Sequence, residues 1–205
     1  MDLVEGFQHF PQYLRPIEQA ALLAAIQDVL AVAPPFTPTM PHTGKPLSVA
    51  MSNCGPLGWV TDKERGYRYQ ATHPVTGAAW PAMPAQLVTL WDDLAKYAAP
   101  PQACLINIYR GAAKMGQHQD KDEADFDAPV LSVSLGDDAV FALGGLKRTD
   151  QRNRLLLCSG DVMLLSGAAR LAFHGIDRLK PGTSLLVPGG GRINLTLRRV
   201  TQPGT

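Results

Sequence analysis

The chain has 205 residues, 45% of them hydrophobic, and a formal net charge of +1 at pH 7. That much apolar side chain supports one substantial core, expected as a single domain. The near-neutral balance excludes nucleic-acid binding by bulk charge, so any such surface must be local, and no stretch approaches the roughly 20 apolar residues that span a bilayer.

The opening MDLVEGFQHF has neither a basic n-region nor an apolar h-region, so no secretion signal is expected there. PIEQAALLAAIQDVLAVA (16–33) is rich in Ala and Leu, starts with a proline suited to a first helical turn and runs into Pro34-Pro35, which predicts a helix. Residues 34–84 are punctuated by Pro and Gly, with short strand candidates at LSVAMSNC and GYRYQA and the aromatics Trp59, Tyr67, Tyr69 and Trp80. Such a segment is expected to form hairpins over the mouth of a core. PAQLVTLWDDLAKYA predicts a second helix, because Leu87, Leu90, Trp91 and Leu94 make one apolar stripe.

From residue 103 the texture changes to short runs bounded by turn residues: ACLINIYR, PVLSVSLG, AVFALG, RLLLC, DVMLLSG, TSLLVP and RINLTLRRV. With no helical period between them, these suggest an antiparallel sandwich or closed barrel. The expected organisation is α+β: helical support and lid over residues 1–100, a β core over 101–205. Cys54, Cys104 and Cys158 are scattered and odd in number, which fits small buried hydrophobes in a reducing cytoplasm rather than a disulfide framework or a zinc site.

Three segments place polar residues where a strand has a face to hide. In RINLTLR, Arg192, Asn194, Thr196 and Arg198 alternate with Ile193, Leu195 and Leu197, so the two sets point to opposite sides of the sheet. In LINIY, Asn107 and Tyr109 share one side with Leu105. QHQDKDE (117–123) has no apolar residue and would ordinarily be a solvated turn, yet His118 and Asp120 project together if the segment is extended. Faces turned to solvent would carry no further meaning. Faces turned into a barrel mouth would bury polar groups at roughly 1–3 kcal/mol each, more for charges, unless ions offset it. Two arginines suit a dianion, and His plus Asp suit a metal. His174, in RLAFHG, is the candidate third ligand, and two histidines with one carboxylate leave open positions suited to non-haem Fe(II) more than to zinc.

The segments NIYRGAAKMGQHQDKDE, LGGLKR, RLAFHG and RINLTLR, in that order, resemble the AlkB family of Fe(II)- and 2-oxoglutarate-dependent dioxygenases. The likeness extends upstream through SVAMSNCGPLGW, GYRY and WPAMP, covering nearly the whole chain. It implies a double-stranded β-helix, or jelly roll, with flanking N-terminal helices and a hairpin-rich nucleotide-recognition lid. It further implies that His118, Asp120 and His174 hold Fe(II), and that Asn107, Tyr109, Arg192, Asn194 and Arg198 bind 2-oxoglutarate. Trp59, Tyr67 and Tyr69 of the lid, with Asp122 and Arg148, would meet the damaged nucleotide, and Met51 and Glu123 are further pocket candidates. The basic cluster Lys147, Arg148, Arg152 and Arg154, with Lys121, is a candidate for phosphate contacts.

The resemblance also implies the reaction. O2 and 2-oxoglutarate are consumed in oxidative demethylation of 1-methyladenine and 3-methylcytosine, releasing formaldehyde, succinate and CO2. The substrate would be single- or double-stranded DNA, with RNA a further one, and the enzyme a cytoplasmic monomer engaged in direct DNA repair. Alternatives are the same chemistry on tRNA, protein or a small molecule, and a non-enzymatic β-barrel binding module. Leu165 stands where the family has a tryptophan and MPHTGKP differs at the start of the lid. Both departures bear on pocket packing and substrate preference, not on reaction type.

Overall fold

Two antiparallel sheets, packed against each other, form the body of the computed structural model, which describes residues 4–204; residues 1–3, at the head of the stretch read above for a secretion signal, and residue 205 lie outside it. Along the chain run β1 (Phe7–Phe10), α1 (Pro16–Val32), β2 (Ala50–Cys54), β3 (Gly58–Asp62), β4 (Gly66–Gln70) and α2 (Ala85–Leu90), followed by a π-helical turn at Trp91–Ala95. Then come β5 (Ala103–Tyr109), β6 (Met115–His118), β7 (Val130–Gly136), β8 (Asp138–Leu143), β9 (Asn153–Leu157) and β10 (Val162–Leu165). A 3-10 helix at Gly167–Leu171 leads into β11 (His174–Lys180), and β12 (Arg192–Arg198) closes the fold. The larger sheet has the order β1-β10-β7-β12-β5-β2 and the smaller β6-β11-β8-β9, while β3 and β4 form a separate hairpin. This is the expected jelly roll with flanking helices.

The alternation in β12 decides which side of the large sheet is which. Ile193, Leu195 and Leu197 pack with Leu22, Ile26 and Val29 of α1 and with Leu87, Leu90 and Trp91 of the second helical segment. Burying each such aliphatic side chain stabilises the fold by about 1.5–3 kcal/mol. The helices therefore brace one outer face, and Arg192, Asn194, Thr196 and Arg198, all buried, are driven to the other face, between the sheets. There they share space with a second core built from Met51, Leu105, Tyr109, Val130 and Met163 of the large sheet and Phe141, Leu143 and Ile176 of the small one.

Several elements differ from the sequence expectation. The second helix is α-helical only over Ala85–Leu90; it widens at Trp91, whose buried indole Nε1 donates to the Ala99 carbonyl, and stops at Lys96, at φ 49°. TSLLVP forms no strand. The Asp137 carboxylate instead ties this segment to the glycine turn after it, accepting from the N–H groups of Ser184 and Gly191, and Leu185 is fully exposed. LSVAMSNC supplies β2, which pairs with β5 at the edge of the large sheet, so the lid hairpin is β3–β4 alone. Strand β1, FQHF, carries no alternation or length that would mark it; it adds to β10, its His9 Nε2 lying 2.9 Å from Asp161 Oδ2.

Candidate active site

The two histidines are brought together by strand register. His174 of β11 lies directly opposite His118 of β6, and their rings stand 4.5 Å apart between centroids. This pairing needs a close approach of backbones: a Cβ at position 175 would lie 2.5 Å from the Met115 carbonyl oxygen, so only glycine fits beside His174. Each imidazole is oriented the same way. His118 Nδ1 is 2.9 Å from the Gly116 carbonyl oxygen and His174 Nδ1 is 2.9 Å from that of Ala172. A carbonyl can only accept, so both Nδ1 atoms carry the proton and both Nε2 lone pairs are free.

Asp120 joins them from outside the ladder. Strand β6 stops at His118, so Asp120 is not a strand residue, and its carboxylate reaches the imidazoles through the loop that follows. Asp120 Oδ1 is 3.8 Å from His118 Nε2, and Oδ2 is 3.9 Å from His174 Nε2. One donor atom from each of the three side chains lies within 4.8 Å of the others, which makes a group able to hold a metal ion. Arg198 Nη2 donates to Asp120 Oδ1 at 2.8 Å, whereas Oδ2 is buried with no hydrogen-bond partner. Such an orphaned carboxylate oxygen beside two free imidazole nitrogens fits a cation and little else.

Protonation states agree with that fit. Burial pushes the Asp120 carboxyl up, but Arg198 first, then the two imidazoles and Arg170, more than offset this and hold it below the ordinary carboxylate range. His174 is pushed down to about 4, chiefly by burial and next by His118. Above that pH it stays neutral, the form that ligates a metal.

The triad sits at one side of a cavity of about 400 Å3 between the sheets, within the range of small-molecule sites. Its inner wall is the polar face of β12 with that of β5. Arg192 pairs with Tyr109 and Asn194 with Asn107 in the ladder. Arg192 is 1% exposed, yet among its guanidinium nitrogens only Nη2 has a partner, Ser134 Oγ at 2.9 Å. Its Nε and Nη1, together with Asn107 Oδ1, are buried without one. Burial lowers the Arg192 pKa, the direction expected for a cation lacking a counter-charge. The orphaned N–H groups of Arg192 fit an anionic ligand, and Asn107 Oδ1 is left as an acceptor. Asn194 is held by Ser132 Oγ, which accepts from its Nδ2 at 2.7 Å, and by Thr196, whose hydroxyl donates to its Oδ1. Ser132 and Ser134 support the site without standing out in the sequence, although LSVSLG alternates in the same way as RINLTLR.

The outer mouth is formed by the lid hairpin and the loop after Asp120. Trp59 and Tyr67 are stacked at 5.7 Å, and the Trp59 Nε1 donates to Asp122 Oδ2 at 2.8 Å. Arg148, exposed, lies over the Phe173 ring at 4.8 Å and donates to the Gln117 carbonyl. Met51, Trp59, Tyr67, Asp122, Glu123 and Arg148 all line the cavity; Met51 does so from β2, not from the hairpin. Tyr69, the cross-strand partner of Trp59, sits behind the wall and donates its hydroxyl to Glu123. Glu123 is buried and also accepts from Arg170 Nη2 at 3.0 Å, with Arg198 Nε 3.5 Å away. Glu123 thus neutralises buried arginines and is not free to offset charge on a ligand; Asp122, exposed, is.

Residues 6–198 match the 2OG-Fe(II) oxygenase superfamily. The chain is 55% identical over 199 residues to the alpha-ketoglutarate-dependent dioxygenase AlkB homolog of Caulobacter vibrioides (strain NA1000 / CB15N), covering 97% of this chain and 90% of the relative. It is 47% identical over 182 residues to the alpha-ketoglutarate-dependent dioxygenase AlkB of Escherichia coli (strain K12), covering 87% and 83%. The solved structure of OsALKBH1 superposes with a TM-score of 0.83 at 30% identity, over 97% of this chain and 99% of that one.

Proposed function

From the premise that the chain belongs to the 2OG-Fe(II) oxygenase superfamily, and within it to the AlkB family, we propose that it removes N-methyl groups from 1-methyladenine and 3-methylcytosine in nucleic acid. The observation that carries this reading is the convergence of His118, Asp120 and His174 on one side of a cavity whose wall presents the orphaned donors of Arg192. When bound, Fe(II) and 2-oxoglutarate supply an oxidant made from O2, so that the methyl carbon leaves as formaldehyde while 2-oxoglutarate becomes succinate and CO2.

The protein supplies position and charge. Nε2 of each histidine and the free Oδ2 of Asp120 hold the metal. Arg192 would meet one carboxylate of the dianion through an N–H group left unpartnered in the protein, with Tyr109 and the Asn107–Asn194 pair lining the cavity beside it. Arg198 is committed to Asp120 and Glu123, so its contribution to the co-substrate is electrostatic. No helix among the described residues is long and apolar enough to cross a membrane. We take the enzyme to be a cytoplasmic monomer.

At the mouth, Trp59 is the platform for the target base, which must leave the stack or come from a single strand. Base–aromatic stacking is worth about 1–3 kcal/mol, so Trp59→Ala raises KM by roughly tenfold to a hundredfold on that same range. Trp59→Phe, which keeps the ring and loses the bond to Asp122, stays much closer to wild type. An unchanged KM for Trp59→Ala removes Trp59 from the site.

Asp122 favours an alkylated, cationic base at the mouth. Fe(II), Asp120, the dianion and the two guanidiniums of Arg192 and Arg198 leave one excess positive charge, and the buried Glu123–Arg170 pair adds none. Among the described residues that line the mouth, Asp122 is the acid free to face the base, and its single negative charge offsets the lesion's own. Asp122→Asn is therefore expected to lower the ratio of kcat/KM for 1-methyladenine over that for the neutral ethenoadenine by up to roughly fivefold, since exposed ion pairs are worth up to about 1 kcal/mol. An unaltered ratio counts against this role.

Direct assay decides the substrate class. Oligonucleotides carrying 1-methyladenine or 3-methylcytosine, single- and double-stranded, DNA and RNA, are incubated with Fe(II) and 2-oxoglutarate and scored for succinate and for restored base. Succinate without base reversal on any of them moves the enzyme to a tRNA, protein or small-molecule substrate.

A further inference from the structure

The loop between β6 and β7 carries both Asp120 and Asp122, yet residues 119–129 lie outside every strand and helix. One side chain holds much of it. Arg170, 1% exposed, sits on the 3-10 helix just before His174 and spreads its guanidinium over three points of this loop. Nε donates to the Ala128 carbonyl at 2.9 Å, Nη1 to the Asp120 carbonyl at 2.6 Å, and Nη2 to Glu123 Oε2 at 3.0 Å. The ring of Phe126, from the same loop, lies 5.7 Å from its Cζ. The next residue repeats the connection: Gln119 Nε2 donates to the Leu171 carbonyl at 2.7 Å.

We propose that Arg170 is a positioning residue for the metal site: its three-way fork fixes the main chain at Asp120 so that the carboxylate faces the two imidazoles. The inference rests on Asp120 being a metal ligand, as proposed above, and adds a residue that touches neither metal nor substrate. The geometry argues for arginine specifically. Three acceptors in three directions around one plane match the fixed donors of a guanidinium, whereas an ammonium on a flexible stem can hold one or two of them at a time. The placement also ties both sides of the site to one support. The segment bearing Arg170 and Leu171 runs into His174, and the segment it grips begins at Gln119, between His118 and Asp120. Through Glu123, which takes the Tyr69 hydroxyl as well, the same guanidinium reaches the lid hairpin.

The test is Mn(II) affinity, read as loss of the free-ion electron paramagnetic resonance signal with 2-oxoglutarate present, in wild type, Arg170→Lys and Arg170→Met. Removing a group that orients a metal ligand lowers metal affinity by about tenfold to a hundredfold. That loss is expected in Arg170→Lys, which keeps the buried charge paired with Glu123 but loses the fork, at temperatures well below its own melting point. Arg170→Met is expected to lose at least as much; if it does not fold, Arg170→Lys decides alone. A merely structural arginine would leave Arg170→Lys with a lowered melting temperature and wild-type Mn(II) affinity, and that result overturns the proposal. Failure of wild type to bind Mn(II) at all would instead overturn the metal reading on which this one rests.

Discussion

Changing His118 to alanine should reduce demethylation by on the order of a thousandfold, beyond the roughly tenfold to hundredfold that follows loss of a group merely orienting a ligand. The metal-free fold should hardly notice. The His118 side chain is 39% exposed and its hydrogen bond is to the carbonyl two residues back, and surface changes of this kind stay within about 0.5 kcal/mol. That separation makes His118 the preferred ligand to remove. Deleting the Asp120 carboxylate would leave Arg198 as a buried cation without its nearest counter-charge, at a cost of about 3–5 kcal/mol, so lost activity could reflect lost folding. Formaldehyde release and Mn(II) binding, measured beside a urea melt, check the expectation. An active His118→Ala enzyme would remove this imidazole from the metal.

Arg192→Met carries the second large effect, and its sign on stability is opposite to the usual one. Arg192 is buried with two guanidinium nitrogens that no protein group satisfies, so in the absence of co-substrate it is expected to contribute little to stability or to weaken the fold. A methionine of similar length removes that burden, and replacement of buried charge by apolar packing is often neutral or stabilising by about 1–4 kcal/mol. The co-substrate, however, loses a charge-assisted contact. Truncating one partner of a buried charge pair costs about 2–5 kcal/mol, which is roughly thirtyfold to several thousandfold in the KM for 2-oxoglutarate. The variant is therefore expected to melt at or above the wild-type temperature without co-substrate, and to gain far less from its addition. Arg198→Met should behave in the reverse way, melting lower because Asp120 and Glu123 lose their partner. A destabilised Arg192→Met with an unchanged KM would mean that Arg192 is a structural residue.

Period-two patterns make the inner wall legible in the sequence. Alternation in RINLTLR and LINIY separates the face that meets the helices from the face that meets the ligand, and the sheet keeps that separation without exception from Arg192 to Arg198. The same alternation in LSVSLG marks Ser132 and Ser134, which support Arg192 and Asn194; small hydroxyls blend into an apolar run and pass unnoticed. The loop after His118 was legible only in part. Its residue types pointed to a metal, but Asp120 reaches the site from an irregular segment, held by Arg170 and Arg198 at separations of 50 and 78 residues. No local pattern encodes contacts of that range. Nor does adjacency separate Asp122 from Glu123: one meets Trp59 at the mouth, the other is enclosed by Tyr69, Arg170 and Arg198, and only the tertiary fold distinguishes them.

The most direct test of the site is an anaerobic titration of the metal-free protein with Fe(II) and 2-oxoglutarate, followed by visible absorption. Chelation of Fe(II) by the 2-oxo acid within the triad should give a weak charge-transfer band that requires both additions, is lost in His118→Ala, and in Arg192→Met returns only at much higher 2-oxoglutarate. A wild-type protein that shows no band at saturating concentrations of both, or a band that persists undiminished in His118→Ala, would contradict the assignment of these residues to iron and its co-substrate.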